Sequence, residues 1–239
     1  AGFEPLIVIS AVLGVVALIL FSAIKFPLPA TVQRQRALPP QRFSFRDTLI
    51  DRNSLFPAFI TLCVSFGNGS IVTYIVIFGE EQGLEQIFLF YLFNALVATL
   101  VRPITGKWFD RRGPWSLVLL CCILSFTALW LLSFTHGNVM LIISGAMFGA
   151  GYGSVIPALQ AWVLSVTTEE KSGTANGMFY SAIDLGIGIS AFILGLISAF
   201  IATAQLFIVT SFCFLIAAAL VIVDWRRQRR KKLSFERGQ

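Results

Sequence analysis

The sequence predicts an all-α integral membrane protein: a six-helix transmembrane bundle preceded by one further transmembrane helix and a cytoplasmic linker. Three observations carry this reading. Hydrophobic residues make up 56% of the 239 positions and charged residues only 13%, against about 45–50% and about 25% in soluble domains. Seven apolar runs, at approximately 5–24, 55–78, 86–104, 115–134, 139–165, 174–201 and 204–224, come close to or exceed the roughly 20 residues a helix needs to cross the hydrocarbon. The basic residues fall in alternate connections: six from Lys25 to Arg52, then Lys107, Arg111 and Arg112, then Lys171, and seven after Trp225. The intervening connections carry Glu80, Glu81 and Glu85, or His136, or no charged residue. Seventeen of the eighteen basic residues therefore share one side, which the positive-inside rule makes cytoplasmic. The expected location is the cell (cytoplasmic) membrane, with the start of the chain outside and the C-terminus in the cytoplasm. This topology accounts for the net charge of +6 without a nucleic-acid partner.

Residues 1–25 form the first span. They lack an initiating methionine, a basic n-region and a cleavage site, so they do not read as a signal peptide, and the chain is expected to be the later part of a longer protein. Residues 26–52 hold four prolines and read as a linker. Within it, Ser44 and Asp47 have the spacing of a capping box, and Phe45 and Leu49 suit a short interfacial helix as well as plain linker. Residues 53–225 hold six spans joined by short turns, the pattern of a compact bundle. Residues 226–239 are a basic tail that, with Trp225, anchors the last helix at the headgroups.

Within the bundle, Gly145, Gly149 and Gly153 recur every four residues and allow close helix approach. Pro157 on the same span is a candidate kink. Polar residues inside apolar spans are candidate cavity lining: Ser65 and Asn68 on the second, Asn94 with Arg102 on the third, Tyr152 and Gln160 on the fifth. Cys63, Cys121, Cys122 and Cys213 all lie in spans without metal spacing and read as packing residues.

The sixth span carries Asp184. Gly173, Gly177, Ser181, Asp184 and Gly188 share one helix face, and Asn176–Tyr180–Asp184 form a second stripe that meets it. The aspartate is thus placed on a packed or water-facing side, roughly 17 Å from Gly173 at 1.5 Å per residue, near the midplane. Intramembrane acids are costly and mark function by default. Asp184 is open to three readings: a proton carrier that exchanges with whichever side is accessible, a contact for cationic or hydrogen-bonding cargo, or a structural acid satisfied by Ser181, Tyr180 or a neighbouring helix.

The stretch RPITGKWFDRRGPWSL between the third and fourth spans resembles the cytoplasmic loop motif of the major facilitator superfamily, Gly-x-Leu-Ala-Asp-Arg-x-Gly-Arg-Arg. Gly106, Asp110, Arg111 and Gly113 keep the pattern, Trp108 stands for the leucine, and Pro114 and Trp115 replace the basic pair. Arg102 and Pro103 just before it are similar to the efflux-type branches. A basic linker preceding six spans resembles the junction between the two halves of such a transporter, so the first span matches helix six and the rest helices seven to twelve. GIGISAFILG in the sixth span looks like a copy of that family's glycine-rich antiporter motif without its proline.

The resemblance implies secondary active transport of a small-molecule substrate, as proton-coupled efflux by alternating access. It implies a missing N-terminal half as partner, a monomer when full length, and no cofactor beyond the proton gradient. The loop motif is implied to act as a conformational latch; a charged turn that merely sets topology is the alternative. An uptake symporter or facilitator of the same superfamily is the nearest alternative function. A seven-span receptor is a different class, but Lys25, Lys107, Lys171, Lys231 and Lys232 all lie off mid-membrane, leaving no retinal anchor. An enzyme is not expected: the spans hold no serine–histidine arrangement or metal-ligand cluster, and His136 is a solvated turn residue.

Overall fold

The computed structural model describes residues 4–23 and 50–236 of the chain. Most of the linker, including Ser44 and Asp47, lies outside the described residues. The chain divides into two compact units, 1–43 and 44–239. The first contains α1 (Glu4–Ala23), which is mostly apolar; its stretch Ile7–Ala23 is a shorter apolar helix than those that follow.

The second unit contains α2 (Leu55–Glu81), α3 (Phe88–Arg112), α4 (Pro114–Ser133), α5 (Asn138–Val166), α6 (Ser172–Ile197) and α7 (Thr203–Glu236). All six are long and apolar enough to cross a membrane. A 3₁₀ turn, Glu169–Lys171, leads into α6.

Two boundaries differ from the sequence expectation. α3 runs on to Arg112 rather than ending near 104, so Gly106 sits inside a helix and does not form part of the reversal. The turn is Gly113 alone, at φ +75°, whose N–H caps the Phe109 carbonyl, followed by Pro114 in the first turn of α4. This is the usual division of labour: glycine takes the left-handed stop and proline the helix start. α7 likewise extends past 224 to Glu236, because arginine, lysine and glutamine are good helix formers once the chain reaches the polar interface.

Helices alternate in direction, giving the bundle a basic end and an acidic end. Outer turns are tied at the acidic end: Thr203 Oγ1 donates to Glu81 Oε1 at 2.7 Å, Asn138 Nδ2 donates to Gln86 Oε1 at 3.1 Å, and exposed His136 Nδ1 lies 3.2 Å from Gln82 Oε1. At the basic end Trp115 Nε1 donates to Asp224 Oδ2 at 3.0 Å.

In packing order, α3 lies on α5, α5 on α4, α4 on α7, α7 on α2 and α2 on α6. Small residues set the first of these contacts. Gly145, Gly149 and Gly153 face Phe90, Asn94 and Ala98 of α3; a methyl at Gly145 or Gly149 would strike a main-chain carbonyl. The glycine spacing read from the sequence is therefore the α3–α5 seam, where dispersion replaces the absent hydrophobic drive of a lipid-dissolved helix. Buried aromatics fill the centre, with Phe148 against Phe90, Tyr152 and Phe214. Thr210 of α7 donates to Ser70 of α2 at 2.9 Å, an interhelical bond with no water to compete.

The two ends of that packing order are the open flanks. Only 17% of the apolar window of α3 and 22% of that of α6 is buried, against 44–56% in the other four.

Candidate functional site

The α5–α6 side of the open surface carries the site. α6 turns Ala175, Phe179, Ala182, Gly186 and Ser190 inward; Gly186 and Ser190 meet α2 at Ser65 and Gly69. This is a small-residue seam, but not the stripe predicted from the sequence. Gly173, Gly177 and Gly188 have open space where a side chain would stand, and Ser181 and Asp184 are exposed. Of the two placements offered for Asp184, the structure shows it exposed within this unit.

Next to that stripe the structure joins three predicted residues. Gln160 of α5 donates through Nε2 to Asn176 Oδ1 at 3.0 Å and approaches the Tyr180 hydroxyl at 3.4 Å. Asp184 stands one turn beyond Tyr180. At 1.5 Å per residue, Asn176, Tyr180 and Asp184 lie about 6, 12 and 18 Å along α6 from its start at the basic end. They form a polar ladder from that end to mid-helix. Asp184 has no hydrogen-bond or ion-pair partner among the described residues, and neither Ser181 nor Tyr180 supplies the bond that the structural-acid reading requires.

Other candidates are placed less closely. Ser65 Oγ is fully buried and closes no hydrogen bond, although the half-buried Tyr152 hydroxyl is directed toward it. Asn68 is buried on α2. Asn94 is half-buried, and its carbonyl is the surface Gly149 packs against. These residues do not join the ladder.

The loop-motif residues separate into two groups. Arg102, Gly106 and Asp110 line one wall of a cavity of about 290 Å3, opposite Ser154 and Pro157 of α5; Ser154 Oγ is buried there without a partner. Arg111 instead lines an open groove on another side of α3 with Lys107, Trp108 and Arg112. Arg112 stacks over the Trp108 ring, 5.4 Å from its centroid, and Trp108 Nε1 donates to Ser116 Oγ at 3.1 Å. Asp110 accepts no backbone amide among the described residues. α5 continues through Pro157 without a break.

One buried polar cluster escaped the sequence reading. Asp51, assigned to the linker, is only 4% exposed. Ser54 Oγ donates to Asp51 Oδ2 at 2.6 Å and lies 3.4 Å from the Val163 carbonyl, while the Asp51 N–H points to Met178 Sδ at 3.2 Å. The start of α2 is thus pinned to the end of α5 and the first turns of α6. Burial pushes the Asp51 carboxyl up, but the hydrogen bond from Ser54, with the Thr167 hydroxyl, the Asn53 amide and the Lys171 ammonium nearby, outweighs it and holds the group below the usual carboxylate range. A depressed native value stabilises above the unfolded value, about 3.9, and that contribution is lost as pH falls through the native value. Asp51→Ala is expected to cost about 1.5–3 kcal/mol, the range for hydrogen bonds to a charged group. Thermal unfolding in detergent at neutral pH would show the loss, and the gap to wild type should narrow on acidification.

The family model described as Major Facilitator Superfamily matches residues 1–191 and, separately, 116–239. An uncharacterized MFS-type transporter of Bacillus subtilis, YwoD, is 35% identical over 112 residues, covering 46% of this chain and 25% of that protein. The multidrug resistance protein MdtG of Salmonella dublin is 25% identical over 182 residues, covering 74% of this chain and 44% of that protein. The chain spans less than half the length of these curated relatives. An all-helical bundle of membrane-length helices, a glycine-ended loop motif and a match to the family model across the sequence lead to one assignment: the chain belongs to the Major Facilitator Superfamily.

Proposed function

We propose that this chain supplies the second half of a transporter that exports small amphipathic molecules across the cytoplasmic membrane in exchange for protons. The observation that carries the proposal is the polar ladder Gln160–Asn176–Tyr180, leading to an unpartnered Asp184 on a surface the bundle leaves open. A carboxylate is retained in a span when it does work, because its insertion is unfavourable. The open flanks α3 and α6 suit coverage by an N-terminal half, so that a path runs between two bundles that rock about a midplane site. On this reading the basic end faces the cytoplasm, the cavity of Arg102 and Asp110 receives a helix start of the other half as a latch, and the full-length protein works as a monomer. The name of the MdtG relative, a multidrug resistance protein, favours export and a broad cargo.

The experiment is dye flux in everted membrane vesicles containing the full-length protein. Ethidium should accumulate when the interior is acidified, and the accumulated dye should leave when a protonophore collapses the gradient. Accumulation that persists without a pH gradient would remove proton coupling, and movement only in the opposite sense would favour uptake.

A further inference from the structure

We propose that the cleft between α4 and α7 at the basic end binds an anionic diacyl phospholipid, with part of an acyl chain between Trp115 and Trp225 and the phosphate against Arg226 and Arg229. The site is separate from the ladder and does not depend on the transport reading. The cleft holds about 120 Å3 and is lined by Trp115, Ser116 and Leu119 of α4 and Val221, Ile222 and Trp225 of α7. That is well below the roughly 300–1,000 Å3 of pockets that enclose a whole drug-sized ligand. Its walls are apolar except for one hydroxyl, which suits a hydrocarbon segment entering from the side. α4 and α7 stand in the middle of the packing order whose open ends are α3 and α6, so the cleft lies away from the surface assigned to the other half.

The charge above the cleft is uncompensated. Arg226 and Arg229 follow Ile222 and Trp225 by four residues, which sets them on the cleft side of α7. Arg229 is held at the mouth by stacking on Trp225, 5.1 Å from the ring centroid. Asp224, the nearest acid on this helix, accepts instead from Trp115 Nε1 and Gln228 Nε2, at 3.0 and 3.3 Å. It thereby fixes one aromatic wall. Neither arginine forms an ion pair with a described residue. Tryptophan at the interface with a basic pocket between spans is the chemistry that selects an anionic headgroup.

The test uses full-length protein in phosphatidylcholine nanodiscs doped with either brominated-chain phosphatidylglycerol or brominated-chain phosphatidylcholine, reading tryptophan quenching. The phosphatidylglycerol should quench more strongly, and Trp115→Phe with Trp225→Phe should remove most of the excess. Arg226→Gln with Arg229→Gln, both on exposed side chains, should lower the preference by about five-fold per arginine. Leu119→Phe fills the cleft and leaves the arginines in place; it too should abolish the excess. Equal quenching by the two lipids would overturn the proposal. So would a preference that survives Leu119→Phe, since it would belong to the tail's general attraction for anionic lipid.

Discussion

Asp184→Asn in the full-length protein is expected to reduce pH-gradient-driven export to the level of vesicles without transporter. The substitution keeps the size and most of the hydrogen-bonding capacity of the side chain but removes the exchangeable proton. A structural hydrogen bond would tolerate that change, and the structure shows no such bond within this unit. Dye binding separates the two functional roles. If Asp184 carries the proton, the Asp184→Asn variant should keep dye affinity near wild type while losing coupled flux. If Asp184 contacts cargo, the same variant should lose affinity for cationic dyes and spare neutral ones. Asp184→Glu is expected to retain part of the flux. Gln160→Ala, which frees Tyr180 and Asn176 one and two turns from Asp184, should weaken binding less.

The second large effect is on packing. Gly149→Leu is expected to separate α3 from α5 and prevent recovery of folded protein, with Gly149→Ala intermediate. The added side chain meets the main-chain carbonyl of Asn94 rather than a flexible side chain, so only a shift of the whole helix can relieve it. Overpacking that the surroundings can absorb costs about 1–3 kcal/mol; a rigid helix backbone places this site at or above the top of that range. The melting temperature in detergent should be lower for Gly149→Ala than for wild type, and Gly149→Leu should yield no folded protein to melt. Equal melting temperatures would show that the seam is looser than described.

Helix number, order and type were readable from hydropathy, because a span must satisfy its own backbone and so needs an unbroken apolar helix. Boundaries were less so. Thr105–Arg112 is polar enough to look like a turn, yet nothing forces the helix to end before Gly113 supplies a left-handed residue. Which small-residue face packs was not readable either. Gly145–Gly149–Gly153 is the seam with α3, whereas the stripe of Gly173, Gly177, Ser181, Asp184 and Gly188 is open; in lipid both faces satisfy the same composition, and the choice depends on the partner. Asn176 and Tyr180 stood out as a stripe with Asp184, and Gln160 as a polar residue in another span, but the bonding of Gln160 to that stripe joins two helices and has no local signature. Asp51 was hidden for the same reason: its partners Ser54, Val163 and Met178 converge only when α2, α5 and α6 are assembled.

The most direct measurement of the central claim is proton release when dye is added to purified full-length protein in weakly buffered detergent. Wild type is expected to acidify the solution on binding, and Asp184→Asn to bind without acidification or to lose binding altogether. Undiminished dye binding with the same proton release from the mutant would contradict the assignment of Asp184 as the functional end of the ladder.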